Sequence, residues 1–428
     1  IELPKGKARE KDLQKQDNYD PEHCRETGAD FIFIEDLMSL FLDRLFQGHE
    51  ILASGDYRII RNADFDLDEE DAPDLMQEIE EQIRLRDWGQ VLQLYYETKL
   101  DERLVTFLQD AMEVRDEDLY PVSGPLDLTF LSELRGKPQM KALPELRYPT
   151  FNPQRPAMLP DPSEDLFAAI RDRDILLSHP YESFQPVMDL IEQAAEDPDV
   201  LAIKQTLYRV SGDSPIIANL AKAARNGKQV MVLLELKARF DEGNNIHWAR
   251  KLEKAGCHVI YGLVGLKTHS KITMIVRRED DGIRRYVHLG TGNYNDTTAK
   301  IYTDLGLLTS SAAIGEDATN FFNLISGYAE PPAWNKLACA PINLRETFYA
   351  LIDREIEAAK SGYTGRIVAK MNSLCDEGII RKLYEASQAG VKIDLIVRGL
   401  NCLRAGIPGV SDNIRVRSLI GRYLEHSR

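Results

Sequence analysis

The chain has 428 residues, a length that favours two or three domains over a single compact core. Its composition is that of an ordinary globular protein with a formal net charge of −16, and it lacks an apolar run near the ~18 residues that a membrane span needs. Because an acidic chain generally repels nucleic acid, we expect no nucleic-acid partner. The missing apolar run predicts that the chain has no transmembrane segment.

Charge is segregated along the chain. Residues 64–81 hold ten carboxylates and no Lys or Arg, whereas residues 361–428 hold eleven basic and six acidic side chains. The basic sector can therefore still bind a polyanion at one site. The five cysteines are scattered, without a CxxC motif or zinc-ligand spacing, and this pattern predicts free thiols in a reducing cytoplasm.

The first third of the chain predicts an α+β domain. Residues 1–30 are polar, and residues 31–46 then place apolar side chains at helical spacing, which predicts a helix that faces a core. A strand, an acidic amphipathic helix, another strand and another helix are predicted over residues 57–114. We assign this head domain to residues 1–150 and expect it to be incomplete at its start.

A segment with five prolines, at positions 149, 153, 156, 160 and 162, predicts an extended linker between domains. After it, strands alternate with helices: "DVLAIKQTLYRV", "QVMVLLELKARF" and "CHVIYGLV" are strands, and the intervening helices end at glycines. This alternation predicts an α/β domain with a mostly parallel sheet.

The α/β pattern then repeats. The stretch "GRIVAKMNSLCDEGIIRKLYEASQAGVKIDLIVRG" has the same order of strand, turn, helix, glycine and strand, which indicates an internal duplication. We place the first half at residues 151–335 and the second at 336–428. The chain begins at Ile1 without a signal-peptide pattern and stops where a strand should continue, so we expect a fragment trimmed at both ends.

Each half carries one histidine followed two residues later by a basic side chain. In "KTHSK" these are His269 and Lys271, and in "LEHSR" they are His426 and Arg428. Histidine is both a nucleophile and a proton carrier near neutral pH, and a nearby cation can hold a non-bridging phosphate oxygen. The paired motifs predict attack on phosphorus by one histidine and proton transfer by the other, in a cleft between the halves.

The turn "GTGN" follows the first motif. Its glycines allow a close backbone approach, and the Asn293 carboxamide can donate a hydrogen bond to a phosphate oxygen. A His-x-Lys motif followed by Gly-x-Gly-Asn in a duplicated chain looks like the phospholipase D-type fold. The longer strings "IKQTLYR", "LELKARFDEGNNIHWARKLE", "YGLVGLKTHSK", "HLGTGNYN" and "YTDLGLLT" resemble bacterial polyphosphate kinase of the histidine-phosphorylating type.

The resemblance covers residues 30–428 and implies a fold of two duplicated phospholipase D-like α/β catalytic halves after an α+β head domain. It implies reversible transfer of the terminal phosphate of ATP to inorganic polyphosphate, with Mg²⁺. His269 then matches the histidine that becomes phosphorylated, and His426 matches the second histidine, assigned to proton transfer or nucleotide contact. The family's N-terminal domain and the end of its second catalytic half are expected to be absent.

The resemblance also assigns further residues. Tyr302 matches a nucleotide-stacking tyrosine and Arg398 a nucleotide-phosphate arginine, while Arg209 and Arg239 match magnesium-linked positions. Because an arginine does not ligate a cation, we interpret the last two as phosphate clamps beside the metal. ATP or ADP and polyphosphate are the implied partners, in a cytoplasmic homo-oligomer, a dimer or tetramer, with attachment to the inner membrane surface left open.

Two alternatives to a kinase remain. A phospholipase D-like phosphodiesterase or nuclease would use the same two histidines, although the Asp that its pattern requires a few residues after the lysine is missing from "KITMIV". That departure favours the kinase. A non-catalytic scaffold is the third interpretation.

Overall fold

The computed structural model describes residues 31–62, 75–85, 89–137, 140, 143–159, 165–210, 212, 214–238, 241–263, 265–327 and 333–428. The chain divides into two compact units, Ile1–Asp66 with Glu81–Thr150, and Leu67–Glu80 with Phe151–Arg428. Across the described ranges, no helix combines the length and apolar character that crossing a bilayer requires. The α/β fold class with an α+β region before it is confirmed.

The α+β region is built on a small sheet. Its strands are β1 (Tyr57–Arg61), β2 (Val91–Glu97) and β3 (Leu119–Val122). The helices of residues 31–137 are α1 (Ile34–Ser39), α2 (Leu42–Leu45), α3 (Leu75–Leu85), α4 (Glu102–Met112) and α5 (Phe130–Leu134). Strand β2 pairs antiparallel with β1 and parallel with β3, and its buried residues Val91 and Leu94 pack with Val114.

The prediction of one core-facing helix over residues 31–46 is wrong. The segment forms the two short helices α1 and α2, and neither contains a buried residue. The helical path breaks at Phe41, whose backbone φ is −124°, and neither Phe33 nor Phe41 can cap the following helix with a side-chain hydrogen bond. Of the acidic run, residues 64–74 lie outside the described part of the chain.

The second unit contains the larger sheet system. Its helices are α6 (Leu166–Asp172), α7 (Gln185–Glu196), α8 (Pro215–Arg225), α9 (Glu242–Lys254), α10 (Ala312–Ile325), α11 (Leu344–Lys360) and α12 (Glu377–Gln388). Its strands are β4 (Ile175–His179), β5 (Val200–Leu207), β6 (Gln229–Leu234), β7 (His258–Tyr261), β8 (Ile272–Glu279), β9 (Gly282–Gly290), β10 (Tyr302–Thr309), β11 (Arg366–Met371), β12 (Lys392–Val397), β13 (Ile414–Arg417) and β14 (Leu424–Glu425).

The first half of this unit combines parallel and antiparallel pairing. Strands β5, β6 and β7 are parallel and are joined by helices, as the alternating sequence pattern predicts, while β8, β9 and β10 continue the sheet antiparallel on the other side of β5. The prediction of a mostly parallel sheet is therefore wrong for the first half, because β8 and β9 are joined by a tight hairpin and not by a helix. Helix α10 packs on this sheet through a buried apolar layer that includes Leu233, Met274, Val287 and Phe322. Burial of such a layer is the main stabilising term for a helix laid on a sheet.

The duplication is visible as a repeated strand–helix–strand unit. Strands β11, β12 and β13 form a parallel sheet with α12 between the first two, which repeats the β5–α8–β6–β7 order of the first half. Gly227 after α8 and Gly390 after α12 both have positive φ, +83° and +92°, so the same left-handed turn ends the helix in each half. Strand β14 then leaves the second half and pairs in parallel with β10 of the first half.

The proline-rich segment is not a free linker in its described part. The Gln154 N–H donates to the Tyr181 carbonyl and the Ser183 N–H donates to the Gln154 carbonyl, both at 2.8 Å. Pro156 and Leu159 are buried in the same unit. The prolines therefore shape an extended segment that packs against the fold.

Candidate active site

His269 lies in the segment between β7 and β8, and buried groups of the sheet fix the residues on either side of it. The N–H of Thr268 donates to Oε2 of Glu235 at 2.6 Å, and the Thr206 hydroxyl donates to the Ser270 carbonyl at 2.8 Å. Glu235 is fully buried. The backbone is thereby held at both neighbours, while the residue His269 itself is exposed.

His426 reaches the same sheet from the second half. It directly follows β14, whose residues Leu424 and Glu425 pair with the start of β10, and its N–H donates to the Thr303 carbonyl at 3.3 Å. Lys370 of β11 donates to the Glu425 carboxylate and to the Ser427 hydroxyl, so the segment is anchored on both sides of the histidine. The two halves of the unit thus meet at the segment that carries His426.

A buried carboxylate holds the imidazole of His426. Nδ1 lies 2.8 Å from Oδ1 and 3.1 Å from Oδ2 of Asp304, and both side chains are less than a tenth exposed. The Thr291 hydroxyl donates to Oδ1 of the same carboxylate at 2.7 Å. A proton on Nδ1 leaves Nε2 as the site that can accept or release a second proton, and the carboxylate stabilises the imidazolium that results.

Gly292 provides the space for this carboxylate. A Cβ at this position would lie 2.6 Å from Oδ2 and 2.7 Å from Cγ of Asp304. The sequence interpretation assigned the glycines of "GTGN" to close approach of a phosphate. In the structure, Gly292 is required because the Asp304 carboxylate that supports His426 fills the space that a Cβ at position 292 would need.

Positive charge surrounds His269. Although part of His269 remains open to solvent, the protein packed around its ring and the charges of Lys271, Arg428, His426 and Lys267 lower the pKa of His269 below its ordinary value. The imidazole of His269 is therefore neutral at physiological pH, the form in which its ring nitrogen can act as a nucleophile. Because the charge of His426 acts on His269, the two rings belong to one electrostatic site.

Lys271 is the most strongly perturbed cation of this site. It is 6% exposed, and burial together with the charges of Arg428 and Arg209 lowers its pKa to about 7, although Asp304 opposes the shift. Its Nζ donates to the His269 carbonyl at 2.5 Å. A bound anion would restore the charge of such a lysine, since an opposite charge favours the protonated form.

Tyr208 lies at the centre of these cations. Its ring contacts the His269 ring edge to face, with centroids 5.0 Å apart and planes at 74°. The Nζ atoms of Lys271 and Lys267 lie 5.1 and 5.8 Å from its centroid, and the Arg209 guanidinium lies at 5.6 Å. The aromatic face partly offsets the mutual repulsion of these cations and supports the orientation of His269.

The structure also places the other predicted residues. The ring of Tyr302, at the start of β10, lies 5.2 Å from the ring of His426 at 45°. Arg398 follows β12, and its Nε donates to Oδ1 of Asn372 at 2.9 Å, while burial and the charge of Arg398 lower the pKa of Arg428. Tyr302 and Arg398 are thereby linked to His426 and Arg428 of the "LEHSR" motif, respectively.

Two predicted residues fit their assignments less directly. Arg209 forms an ion pair with Asp241 at 2.9 Å, and Asn293 is 9% exposed beside Asp304, so neither side chain is a freely exposed phosphate ligand. Arg239 lies outside the described residues. A cavity of about 990 Å³ borders His269 and Lys271, but its walls are mostly apolar, so only its rim suits a phosphate.

Three models of one protein family match the chain. The polyphosphate kinase middle domain matches residues 3–134, C-terminal domain 1 matches 165–331, and C-terminal domain 2 matches 337–428. The chain belongs to the polyphosphate kinase family. The resemblance noted in the sequence is confirmed at the level of the family.

Known polyphosphate kinases are similar to almost the whole chain. The enzyme of Halalkalibacterium halodurans is 56% identical over 412 residues, and that of Bacillus anthracis is 57% identical over 400 residues; these alignments cover 95% and 93% of this chain but 57% of each relative. The crystal structure of polyphosphate kinase from Porphyromonas gingivalis aligns with 100% of this chain and 59% of its own, with a TM-score of 0.80 and 33% identity. The chain therefore spans less than two thirds of the length of these polyphosphate kinases.

Sequence reasoning missed three supporting residues of this polyphosphate kinase chain. Asp304 and Glu235 occur within apolar strand patterns, and Tyr208 directly precedes a predicted phosphate clamp. A buried carboxylate in a strand needs a partner. That requirement was the available indication for Asp304 and Glu235, whereas nothing in the sequence distinguishes the Tyr208 ring from a packed aromatic.

Proposed function

We propose that this chain is the part of a polyphosphate kinase that reversibly transfers the terminal phosphate of ATP to inorganic polyphosphate through a phosphohistidine at His269. The observation that carries the proposal is the meeting of the two duplicated motifs in one cationic site, with His426 held by Asp304. In this proposal the head domain spans residues 1–150, and the catalytic halves span 151–335 and 336–428.

The chemistry follows from the charges of the site. The neutral imidazole of His269 attacks the γ-phosphorus, the bond to the β–γ bridging oxygen breaks, and ADP leaves. Lys271 and Arg428 neutralise charge on the non-bridging oxygens. Phosphoryl transfer depends more on such charge neutralisation than on covalent assistance from the protein. A terminal oxygen of polyphosphate then attacks the phosphohistidine, which lengthens the chain by one phosphate and restores His269.

His426 serves proton transfer in this scheme. With Nδ1 bound to Asp304, its Nε2 can donate a proton to a leaving phosphate oxygen or take one from an attacking phosphate. Tyr302, beside the His426 ring, is assigned to stacking on the adenine, and Arg398 to a nucleotide phosphate. Lys271 and Asn293 are assigned to substrate phosphates, and Arg209 and Arg239 to clamps on the phosphates that carry the metal.

Mg²⁺ is proposed to arrive with ATP. Over the described residues, no group of three or more His, Cys, Asp or Glu side chains is arranged to hold a metal ion. Asp304, Glu425 and Asp241 already bind His426, Lys370 and Arg209, respectively. A metal coordinated mainly by phosphate oxygens, as is usual for Mg²⁺ with nucleotides, fits this site better than a carboxylate cage. We further propose that the protein is cytoplasmic and forms a homo-oligomer, either a dimer or a tetramer.

Position-specific labelling tests the transfer step. The full chain is incubated with Mg²⁺ and ATP labelled at either the γ- or the α-phosphate, and protein-bound label is measured after an alkaline quench. We expect acid-labile label at His269 from γ-labelled ATP alone, lost in His269→Ala and retained in the control His258→Ala, an exposed histidine on β7.

The second histidine gives a different expected result. His426→Ala should slow polyphosphate synthesis severely while some label on His269 remains, because Lys271 and Arg428 still stabilise the transferring phosphate when the second imidazole is absent. Label that persists in His269→Ala would overturn the phosphohistidine assignment. A covalent adduct formed from a phosphodiester without Mg²⁺ would instead support a phospholipase D-like phosphodiesterase.

A further inference from the structure

Two exposed cysteines lie on neighbouring loops of the second half. Cys375 follows β11 and Cys402 follows β12, and these two strands are adjacent and parallel. Both thiols are free. The other described cysteines, Cys257 and Cys339, are buried and half-buried, respectively, and Cys24 lies outside the described residues.

The backbone brings the two cysteines side by side. Leu374 and Asn401 form an isolated parallel bridge: the Leu374 N–H donates to the Leu400 carbonyl and the Cys402 N–H donates to the Leu374 carbonyl, both at 2.9 Å. Cys375 and Cys402 are the next pair after this bridge. Paired backbones lie about 5 Å apart, which is within the ~4.4–6.8 Å between Cα atoms that a disulfide spans.

The side chains of Cys375 and Cys402 both extend from this paired backbone. Sγ of Cys375 lies 4.0 Å from the carbonyl oxygen of Leu400, two residues before Cys402. The hydrogen bond with Cys402 raises the pKa of Cys375, so Cys375 keeps its proton more firmly than an isolated thiol does. Cys375 is therefore poorly suited to be the first nucleophile, which must be a thiolate.

We propose that Cys375 and Cys402 are a reversible oxidation site that forms a disulfide on exposure to a hydroperoxide. The Cys402 thiolate attacks the distal peroxide oxygen, the O–O bond breaks, and a sulfenic acid and a water or alcohol result. The Cys375 thiol then attacks the Cys402 sulfur, a second water leaves, and two thiols have been oxidised as one peroxide is reduced. A dithiol reverses the step by exchange.

The disulfide would act on the segments that carry Arg398. The Gly399 N–H donates to the Asn372 carbonyl at 2.6 Å, and Arg398 binds the Asn372 side chain, so hydrogen bonds already join the two loops. A covalent tie three residues beyond Asn372 and four beyond Arg398 would restrict both. Any consequence for ATP binding rests on the proposed function, whereas the cross-link itself does not.

Peptide mapping of the full chain tests the cross-link. The reduced protein is treated with a small excess of hydrogen peroxide, remaining thiols are alkylated, and the digest is analysed by mass spectrometry without reductant. We expect one linked peptide pair containing Cys375 and Cys402, two fewer alkylated thiols, and full recovery after dithiothreitol. Cys375→Ser and Cys402→Ser should each abolish the linked pair, and Cys339→Ser should retain it.

Two results of the peptide mapping would contradict the disulfide between Cys375 and Cys402. Separate alkylation of Cys375 and Cys402 after oxidation, or a linked pair that involves Cys24 instead, would overturn the proposal. The Michaelis constant for ATP, measured before and after oxidation, is a second readout, expected to rise at least twofold in the wild type and to stay constant in Cys375→Ser. If the cross-link forms and no label enters His269, the proposed function fails while the oxidation site stands.

Discussion

Replacing Asp304 by asparagine isolates the contribution of one buried negative charge to the site. The carboxylate accepts from Thr291 at 2.7 Å and from His426 at 2.8 Å, both at Oδ1. An asparagine Oδ1 can accept the same two hydrogen bonds in the same volume. Asp304→Asn therefore keeps the geometry and removes the charge that stabilises protonated His426.

The expected magnitude follows from the burial of this pair. Asp304 and His426 are less than a tenth exposed, so solvent screens their interaction little. A hydrogen bond to a charged group contributes ~1.5–3 kcal/mol and a neutral one ~0.5–1.5 kcal/mol, so the loss is about 1–1.5 kcal/mol. At ~1.36 kcal/mol per tenfold, Asp304→Asn should slow polyphosphate synthesis about 5- to 13-fold. Asp304→Ala, which removes the acceptor, should slow it about 10- to 150-fold.

The assay separates the two chemical steps. Single-turnover labelling of His269 by γ-labelled ATP without polyphosphate is compared with steady-state polyphosphate synthesis, and thermal melting reports the stability of each variant. Labelling should change less than synthesis. The control Asp317→Asn alters another buried carboxylate, one that binds the backbone of residues 335–337, and should lower stability without changing the ratio of the two rates. Unchanged synthesis in Asp304→Asn would refute a proton-transfer role for His426.

Three further predictions concern the same site. Gly292→Ala should displace the Asp304 carboxylate and cost ~1–3 kcal/mol of stability as an overpacked position, with synthesis slowed as in Asp304→Asn. In melting and rate assays, the control Gly243→Ala should lower neither stability nor synthesis, since its Cβ meets open space and alanine is the better helix former in α9. Because the pKa of His269 is lowered, its neutral ring persists as pH falls. At saturating MgATP, whose bound phosphates keep Lys271 protonated, the labelling rate should therefore stay flat from about pH 8 to 6, where an ordinary histidine with a pKa of about 6.5 would lose more than half of its activity. A decline centred near 6.5 would contradict the lowered pKa. Tyr208→Leu should slow labelling of His269 about 2- to 12-fold, equivalent to the ~0.5–1.5 kcal/mol contributed by contacts of the ring. Tyr208→Phe, which keeps the ring, should label at the wild-type rate. An equal loss in both variants would show that the hydroxyl, not the ring face, matters.

Much of the α/β architecture follows from sequence periodicity. Continuous apolar runs predict β5 and β6, helical spacing with a following glycine predicts α8 and α12, and their repetition predicts the duplicated halves. These features are local, since each depends on residues within about one turn or strand. The helix over residues 31–46 was predicted wrongly because apolar spacing indicates a face but not a surface that covers it.

The supporting residues of the site depend on pairing that no local pattern contains. Asp304 supports His426 because β14 pairs with the start of β10, a contact between residues more than a hundred positions apart. Cys375 and Cys402 are adjacent for the same kind of reason, since β11 and β12 are parallel neighbours. The sequence shows which residue types are present, whereas register decides which of them meet.

The pairing of β14 with β10 makes the two halves interdependent. His426 belongs to the second half, yet its imidazole is oriented by Asp304 of the first half, and the flanking Glu425 binds both Thr303 of the first half and Lys370 of the second. Each half therefore supplies what the other lacks, and the histidine of the second half gains its buried carboxylate only when both halves have folded. If each half had kept an independent site, no residue of one half would need to orient the histidine of the other. The cross-pairing is the physical reason for expecting one shared site with two different histidine roles.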